Sequence, residues 1–247
     1  MKHASIIFKK EIKEIIKNRN IWMPILVITL MFSLAMPFML TYFGKEMLED
    51  PDTIKFLNKT PFLKNLEPYQ ALIFFMTKQF LIFLLLIPAM VPSLIAPFSI
   101  IMEKENKTLE PLLATPIKTS DLLLGKTLTS MVPTFVISTA SFVILSTVVD
   151  AVTYREIGQI LLPNLEWCIV AFVLSPTIEF IITMASIMIS SKSTDVRSAQ
   201  GIGSVVIFPI YLLIGLQLAG FFLMNIKYLI AGCIILIALC PLLLRLA

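Results

Sequence analysis

Few side chains in this chain are able to do chemistry, and their setting narrows what they can do. Glu179 stands inside an apolar run, three residues after Pro176. A carboxylate at mid-depth of a bilayer costs about 2.5–3.5 kcal/mol on insertion scales, so it must be paired, hydrated or protonated. Two roles fit it: a structural glutamate bonded to a Ser or Thr of the third span, or a residue of a conduit or gate. Gln217, near the end of a later apolar run, is the second pathway candidate. His3 is the one histidine, and Cys168, Cys233 and Cys240 have no metal-ligand spacing. That rules out His-based metal sites, histidine-base triads and His-dependent intramembrane proteolysis. The expectation is a chain that is not an enzyme, with no catalytic residue and no cofactor or metal site.

The other concentration of functional groups runs from Glu103 to Lys126, between two long apolar runs. Thr108 precedes Leu109, Leu112 and Leu113, with Pro111 in the first turn, where proline is tolerated. Thr115-Pro116 disfavours further helix. The pattern predicts a short amphipathic helix over about residues 108–114, then a turn and a second helix from Ser120 into the next span. Glu103, Glu105 and Glu110 add acidic groups. A solvated loop has no need of the leucines, and a lipid-bound helix would prefer lysines to glutamates. The alternatives are a docking surface for a partner and an ordinary polar loop.

The composition defines the elements that must position these groups. Of 247 residues, 57% are hydrophobic and 15% charged, against averages of about 45–50% and about 25% in soluble domains. Apolar runs of about 20 residues recur, so the expected fold is all-α: a polytopic membrane protein with six transmembrane helices. A single domain covers 1–247, with spans at 22–43, 71–102, 121–149, 165–190, 202–224 and 228–245. Residues 1–21 form an amphipathic interfacial helix, with Phe8, Ile12, Ile15 and Ile16 set among Lys9, Lys10, Lys13 and Lys17. Residues 44–70 form the extracellular loop and 103–120 a cytoplasmic one.

Pro37 is expected to kink the first span, and Pro88, Pro92 and Pro97 to bend or break the second. The third span exceeds what a bilayer needs and should protrude on the cytoplasmic side. Along it Thr127, Ser130, Thr134, Ser138 and Ser141 recur every three or four residues. Such a stripe either lets helices approach closely or lines a conduit. Lysine and arginine are more numerous in the segments on the N-terminal side, which puts both termini in the cytoplasm of a multi-pass plasma-membrane protein. The net charge of +4 sits in loops beside spans, so membrane lipid is an expected partner and nucleic acid is not.

The 103–126 stretch resembles the first cytoplasmic loop of type-2 ABC export permeases. Members commonly carry Glu-x-Glu-x-x-Thr-Leu-Glu-x-Leu-Leu-x-Thr-Pro there, followed by Leu-Leu-Gly-Lys. Here those positions are Glu103, Glu105, Thr108, Leu109, Glu110, Leu112, Leu113, Thr115 and Pro116, then Leu123, Leu124, Gly125 and Lys126. Where the family often has glycine before Thr-Leu-Glu, this chain has Lys107, and it places Pro111 inside the helix. The resemblance implies a permease subunit that pairs with a second copy or a related permease. Each subunit would dock a separate cytoplasmic ABC ATPase through a coupling helix made by these residues. ATP and Mg would belong to the partner, and no Gly-x-x-x-x-Gly-Lys-Ser/Thr phosphate loop occurs in this sequence. The competing readings are an ATP-independent secondary transporter, for which Glu179 and Lys78 are the available intramembrane ionisable residues, and a non-transporting scaffold.

Overall fold

The computed structural model describes residues 2–51, 53–54, 57, 66–108, 119–193, 196–218 and 226–246. Most of these residues are helical, and no strand occurs among them. Helix α1 (Lys2–Lys17) stops at Asn18, an extended residue whose side chain accepts from the Asn20 N–H at 3.0 Å and so caps the next helix. The first span follows as α2 (Arg19–Leu30), a π-turn (Met31–Ala35) and α3 (Met36–Met47). The second is α4 (Pro68–Leu84) and α5 (Leu86–Glu105). The third is one helix, α6 (Thr119–Ile157). The fourth is α7 (Leu165–Ile169), a second π-turn (Val170–Leu174) and α8 (Ser175–Lys192). Helices α9 (Val196–Leu218) and α10 (Ile226–Leu246) complete the order.

Among the described residues, four stretches are long and apolar enough to cross a membrane: Arg19–Gly44, Pro68–Lys104, Asp121–Arg155 and Leu165–Ser191. Helices α9 and α10 supply shorter apolar stretches, Val205–Gln217 and Leu229–Pro241.

Prolines explain the irregularities. Both π-turns end just before a proline, Pro37 in one and Pro176 in the other. Proline removes a helical N–H, and its ring collides with the carbonyl four residues earlier. The chain answers with one wider turn, in which the Met36 N–H bonds the Met31 carbonyl and the Ser175 N–H bonds that of Val170. The second span breaks instead at Leu85, whose N–H reaches back only to Ile82 at 3.1 Å. Pro88 has no N–H for the Leu84 carbonyl, which accounts for a break one residue later.

The second span is the centre of the bundle. Its apolar window is 83% buried, against 24% for the first span, and α5 packs against both α8 and α6. Ile87, Ala89, Val91 and Ile101 have no exposure at all. Large apolar side chains such as Leu26, Met31 and Phe38 on the first span and Val136 and Val143 on α6 point outward, as lipid-facing residues do.

Helix α6 is longer than the 121–149 expected, and its extra length lies at the end away from the 103–126 stretch. Residues 150–157, expected as connection, are helical. Asp150 anchors them: its Oδ1 accepts from the N–H groups of Leu161 and Leu162 at 3.1 and 2.9 Å, folding the following loop back onto the helix. The helix ends at Gly158, whose positive φ of 73° is the left-handed stop that glycine adopts freely.

Candidate functional site: a charged junction at the ends of the polar stretch

Helix α1 packs on α6 through Ile7, Glu11 and Ile15, spaced one turn apart and all buried. Of the apolar residues expected to lie on the membrane surface, Ile15 is buried in this contact, Phe8 and Ile12 are half-buried on its flank, and Ile16 is 60% exposed. A glutamate occupies the middle of this buried face because its charge is met there. Lys126 Nζ lies 2.9 Å from Glu11 Oε1 and 2.7 Å from Glu103 Oε2. It also donates to Ser99 Oγ at 3.1 Å, and Ser99 Oγ donates to Glu11 Oε2 at 2.7 Å. One ammonium therefore stands between two carboxylates, with every charged side chain at most 9% exposed. Charge-assisted bonds of this kind are strong, and removing one partner leaves the others buried and uncompensated.

Glu103 and Lys126 are the first and last residues of the polar stretch, so this junction ties the two ends of the stretch together. The next residue, Lys104, points to a different element. Its Nζ donates to the carbonyls of Ser190, Ser191 and Ser193 at 3.0, 2.7 and 2.9 Å. These are carbonyls in and just beyond the last turn of α8, where that of Ser190 also accepts from the Ser193 N–H at 3.3 Å, and a cation is favoured there by the helix dipole. Adjacent side chains at the end of the second span thus grip α1 and α6 on one side and α8 on the other.

Helix α5 then stops in a Schellman arrangement. The Thr108 N–H bonds the Glu103 carbonyl at 2.9 Å and the Lys107 N–H bonds that of Lys104 at 3.1 Å. Lys107 has φ 55°, the left-handed region where glycine is the usual residue. The glycine often found here in export permeases now has a structural reason: this turn needs a positive φ. Glu105 falls in the last turn of α5, so residues 103–105, expected in the loop, are helical. Thr108 is exposed just beyond it. Leu109, Glu110, Leu112, Leu113, Thr115 and Pro116 lie outside the described residues.

Glu179 is fully buried between α6 and α8. Its Oε1 accepts from Ser138 Oγ at 2.8 Å and from Ser175 Oγ at 3.1 Å. Ser138 belongs to the polar stripe of the third span, which is buried along its whole length from Thr127 to Ser141. Thr127, Thr134 and Ser141 close their hydroxyls on carbonyls four residues back in their own helix. The stripe faces similar residues of α8, with Thr183 Oγ1 3.4 Å from Ser130 Oγ. This geometry is that of two helices packed on small residues. Gln217 lies elsewhere, buried on α9, where its Nε2 donates to the Lys78 carbonyl at 3.2 Å. The Lys78 ammonium pairs with Glu166 at the start of the fourth span. The structure therefore does not bring Glu179, Gln217 and the polar stretch into one site.

Sequence reasoning missed Glu11 and Ser99 and read Lys126 only as the end of a pattern. One signal was present: Glu11 falls on the Ile7–Ile15 line of a helix whose other charges lie elsewhere.

Membrane-length apolar helices and a built polar junction at one end of the bundle define an integral membrane protein. The chain belongs to the ABC-2 family transporter protein family, whose match runs over residues 5–238. It is a membrane permease component of an ABC-type transporter. Comparison with curated proteins and with solved structures gave no match.

Proposed function

We propose that this permease forms the substrate pathway of an ABC exporter as one of two paired subunits. Six spans cross the plasma membrane, both termini are cytoplasmic, and residues 103–116 dock a separate ATPase that carries the ATP and Mg. The observation that supports this reading is the way the polar stretch is mounted. A segment that transmits a partner's movement needs stiff ends. Glu103 and Lys126 are joined at 2.7 Å, and Lys104 holds the end of the fourth span. Glu179 and Gln217 are the pathway candidates on this reading. Each is fully buried and keeps one side-chain oxygen without a partner among the described residues.

The test is Leu112→Ala combined with Leu113→Ala. Truncating buried anchors at an interface typically costs about 2 kcal/mol, or roughly 30-fold in affinity. The double variant should insert and pair normally but lose the ATPase in pull-down. Glu110→Lys should act similarly by charge repulsion, with a steeper salt dependence. A double variant that binds and couples its ATPase like wild type would remove residues 103–116 as the docking element.

A further inference from the structure

We propose that a cavity between the third and fourth spans binds a lipophilic amine, with Asp150 as counter-ion of the ammonium and Trp167 as donor to an oxygen on its body. The site goes beyond the docking reading and does not depend on it. The cavity holds about 340 Å³ between α6 and the start of the fourth span, within the ~300–1,000 Å³ of small-molecule sites. Neither Glu179 nor Gln217 lines it. Its walls are largely aromatic: Phe142, Trp167 and Phe172, with Val143 beside them. Phe142 and Trp167 meet edge to face, 6.0 Å between ring centroids and 87° between planes. Val143 and Phe172 are 58% and 61% exposed, so the cavity opens toward lipid.

Two polar groups of this lining lack what they need. Among the described residues of the lining, Asp150 alone is charged. Its Oδ1 takes the N–H groups of Leu161 and Leu162, and its carboxylate has no ion pair among the described residues. Glu166, the acid next to Trp167 in the chain, is matched by Lys78. Holding the loop requires only one oxygen of Asp150. An asparagine would supply it without bringing a charge to the membrane boundary. Trp167 is 2% exposed, and its indole N–H is buried without a partner. An indole nitrogen only donates, and a donor left buried and unpaired is costly. A lipophilic amine completes both groups. Its ammonium pairs with Asp150 and is drawn to the aromatic walls. An ether or carbonyl oxygen on its body accepts from Trp167, and its hydrocarbon fills the apolar remainder. An anionic amphiphile would be repelled by Asp150, and a plain acyl chain would leave the indole N–H unpaired.

The experiment uses the full chain in phosphatidylcholine nanodiscs, without an ATPase. The probe amine is propranolol, and the control is the neutral naphthyloxy diol in which a hydroxyl replaces the amine. Cys168 lines the cavity, so a bound probe shields it from N-ethylmaleimide. Peptide mass spectrometry reads its alkylation, with Cys233 and Cys240 on α10 as internal references. Propranolol should protect Cys168 at concentrations about 10-fold lower than the diol requires. Asp150→Asn keeps the oxygen that holds the loop. It should weaken propranolol about 10-fold and leave the diol unchanged. Trp167→Phe should weaken both probes alike, because both carry the ether oxygen. Equal protection by amine and diol, or no protection of Cys168 by propranolol, overturns the inference, as does wild-type affinity in Asp150→Asn. If Asp150→Asn does not insert, the comparison of amine and diol on the wild-type protein decides. Loss of propranolol protection when phosphatidylethanolamine replaces half of the phosphatidylcholine would give the site to a lipid ammonium head and overturn the free amine as its occupant.

Discussion

Lys126 Nζ lies 2.7 Å from Glu103 Oε2, so the two ends of the polar stretch are pinned to one another in a buried site. Glu11 also pairs with Lys126, so two buried carboxylates depend on the same ammonium. Lys126→Met should therefore destabilise the protein by about 3–5 kcal/mol, the usual cost of stranding a buried partner. Adding Glu11→Gln and Glu103→Gln should restore most of that loss, because no uncompensated charge is left. Thermal unfolding in detergent measures both, and a Lys126→Met protein that unfolds at the wild-type temperature would contradict the geometry.

Lys107 holds a positive φ of 55° at the end of α5. A β-branched residue is strained there and glycine is not. Lys107→Val should lower stability by about 1–2 kcal/mol relative to Lys107→Gly. The ordering Gly above Val in chemical unfolding is the check, and the reverse order would count against the Schellman turn.

Lys104 satisfies three carbonyls at the end of α8. Lys104→Met should fray that end, at a cost of about 1–2 kcal/mol for the charge–dipole and hydrogen-bond contributions together. Hydrogen exchange followed by mass spectrometry should show faster exchange at Ile189–Ser193, with little change at the start of α8. Uniform exchange in both proteins would mean that the lysine does not cap the helix.

Glu179 takes both serine bonds on one oxygen. An amide carbonyl can occupy that place, so Glu179→Gln should alter stability by less than about 1 kcal/mol. Glu179→Leu leaves the Ser175 hydroxyl only its long 3.4 Å bond to Ser138 Oγ, while Ser138 can fall back on the Phe135 carbonyl at 3.2 Å. The expected loss is about 1–2 kcal/mol. Equal stability of the two variants would show that these bonds do not hold the α6–α8 seam.

Asn106 and Ile160 are exposed at opposite ends of the bundle. On the proposed topology, which follows the lysine and arginine asymmetry, the Asn106 end is cytoplasmic. A cysteine at Asn106 should react with an impermeant maleimide only in opened cells, and one at Ile160 in intact cells. Labelling in the reverse sense would invert the proposed topology.

Much of the fold was legible in the residues themselves, because it follows from local physics. Apolar runs of membrane length, the amphipathic start and the proline irregularities are set by each segment's own composition and covalent geometry. Pro37 and Pro88 disturb their helices whatever surrounds them, and the π-turn and the break at Leu85 are where the sequence places the difficulty. The third span's length was less legible, since residues 150–157 stay helical through Asp150 bonds to backbone that follows in the chain. The serine partner of Glu179 was foreseeable as a type, because a buried carboxylate needs donors and the third span is lined with hydroxyls. Ser175 follows from its place four residues back in the same helix, whereas the choice of Ser138 depends on the rotation of α6 against α8. The junction lay furthest from reach. Glu11 and Lys126 are 115 residues apart, and each reads alone as an ordinary charge near a membrane boundary. Only the packing of α1 on α6 beside the end of the second span removes water from both. That desolvation turns separate surface charges into a mutually dependent buried set.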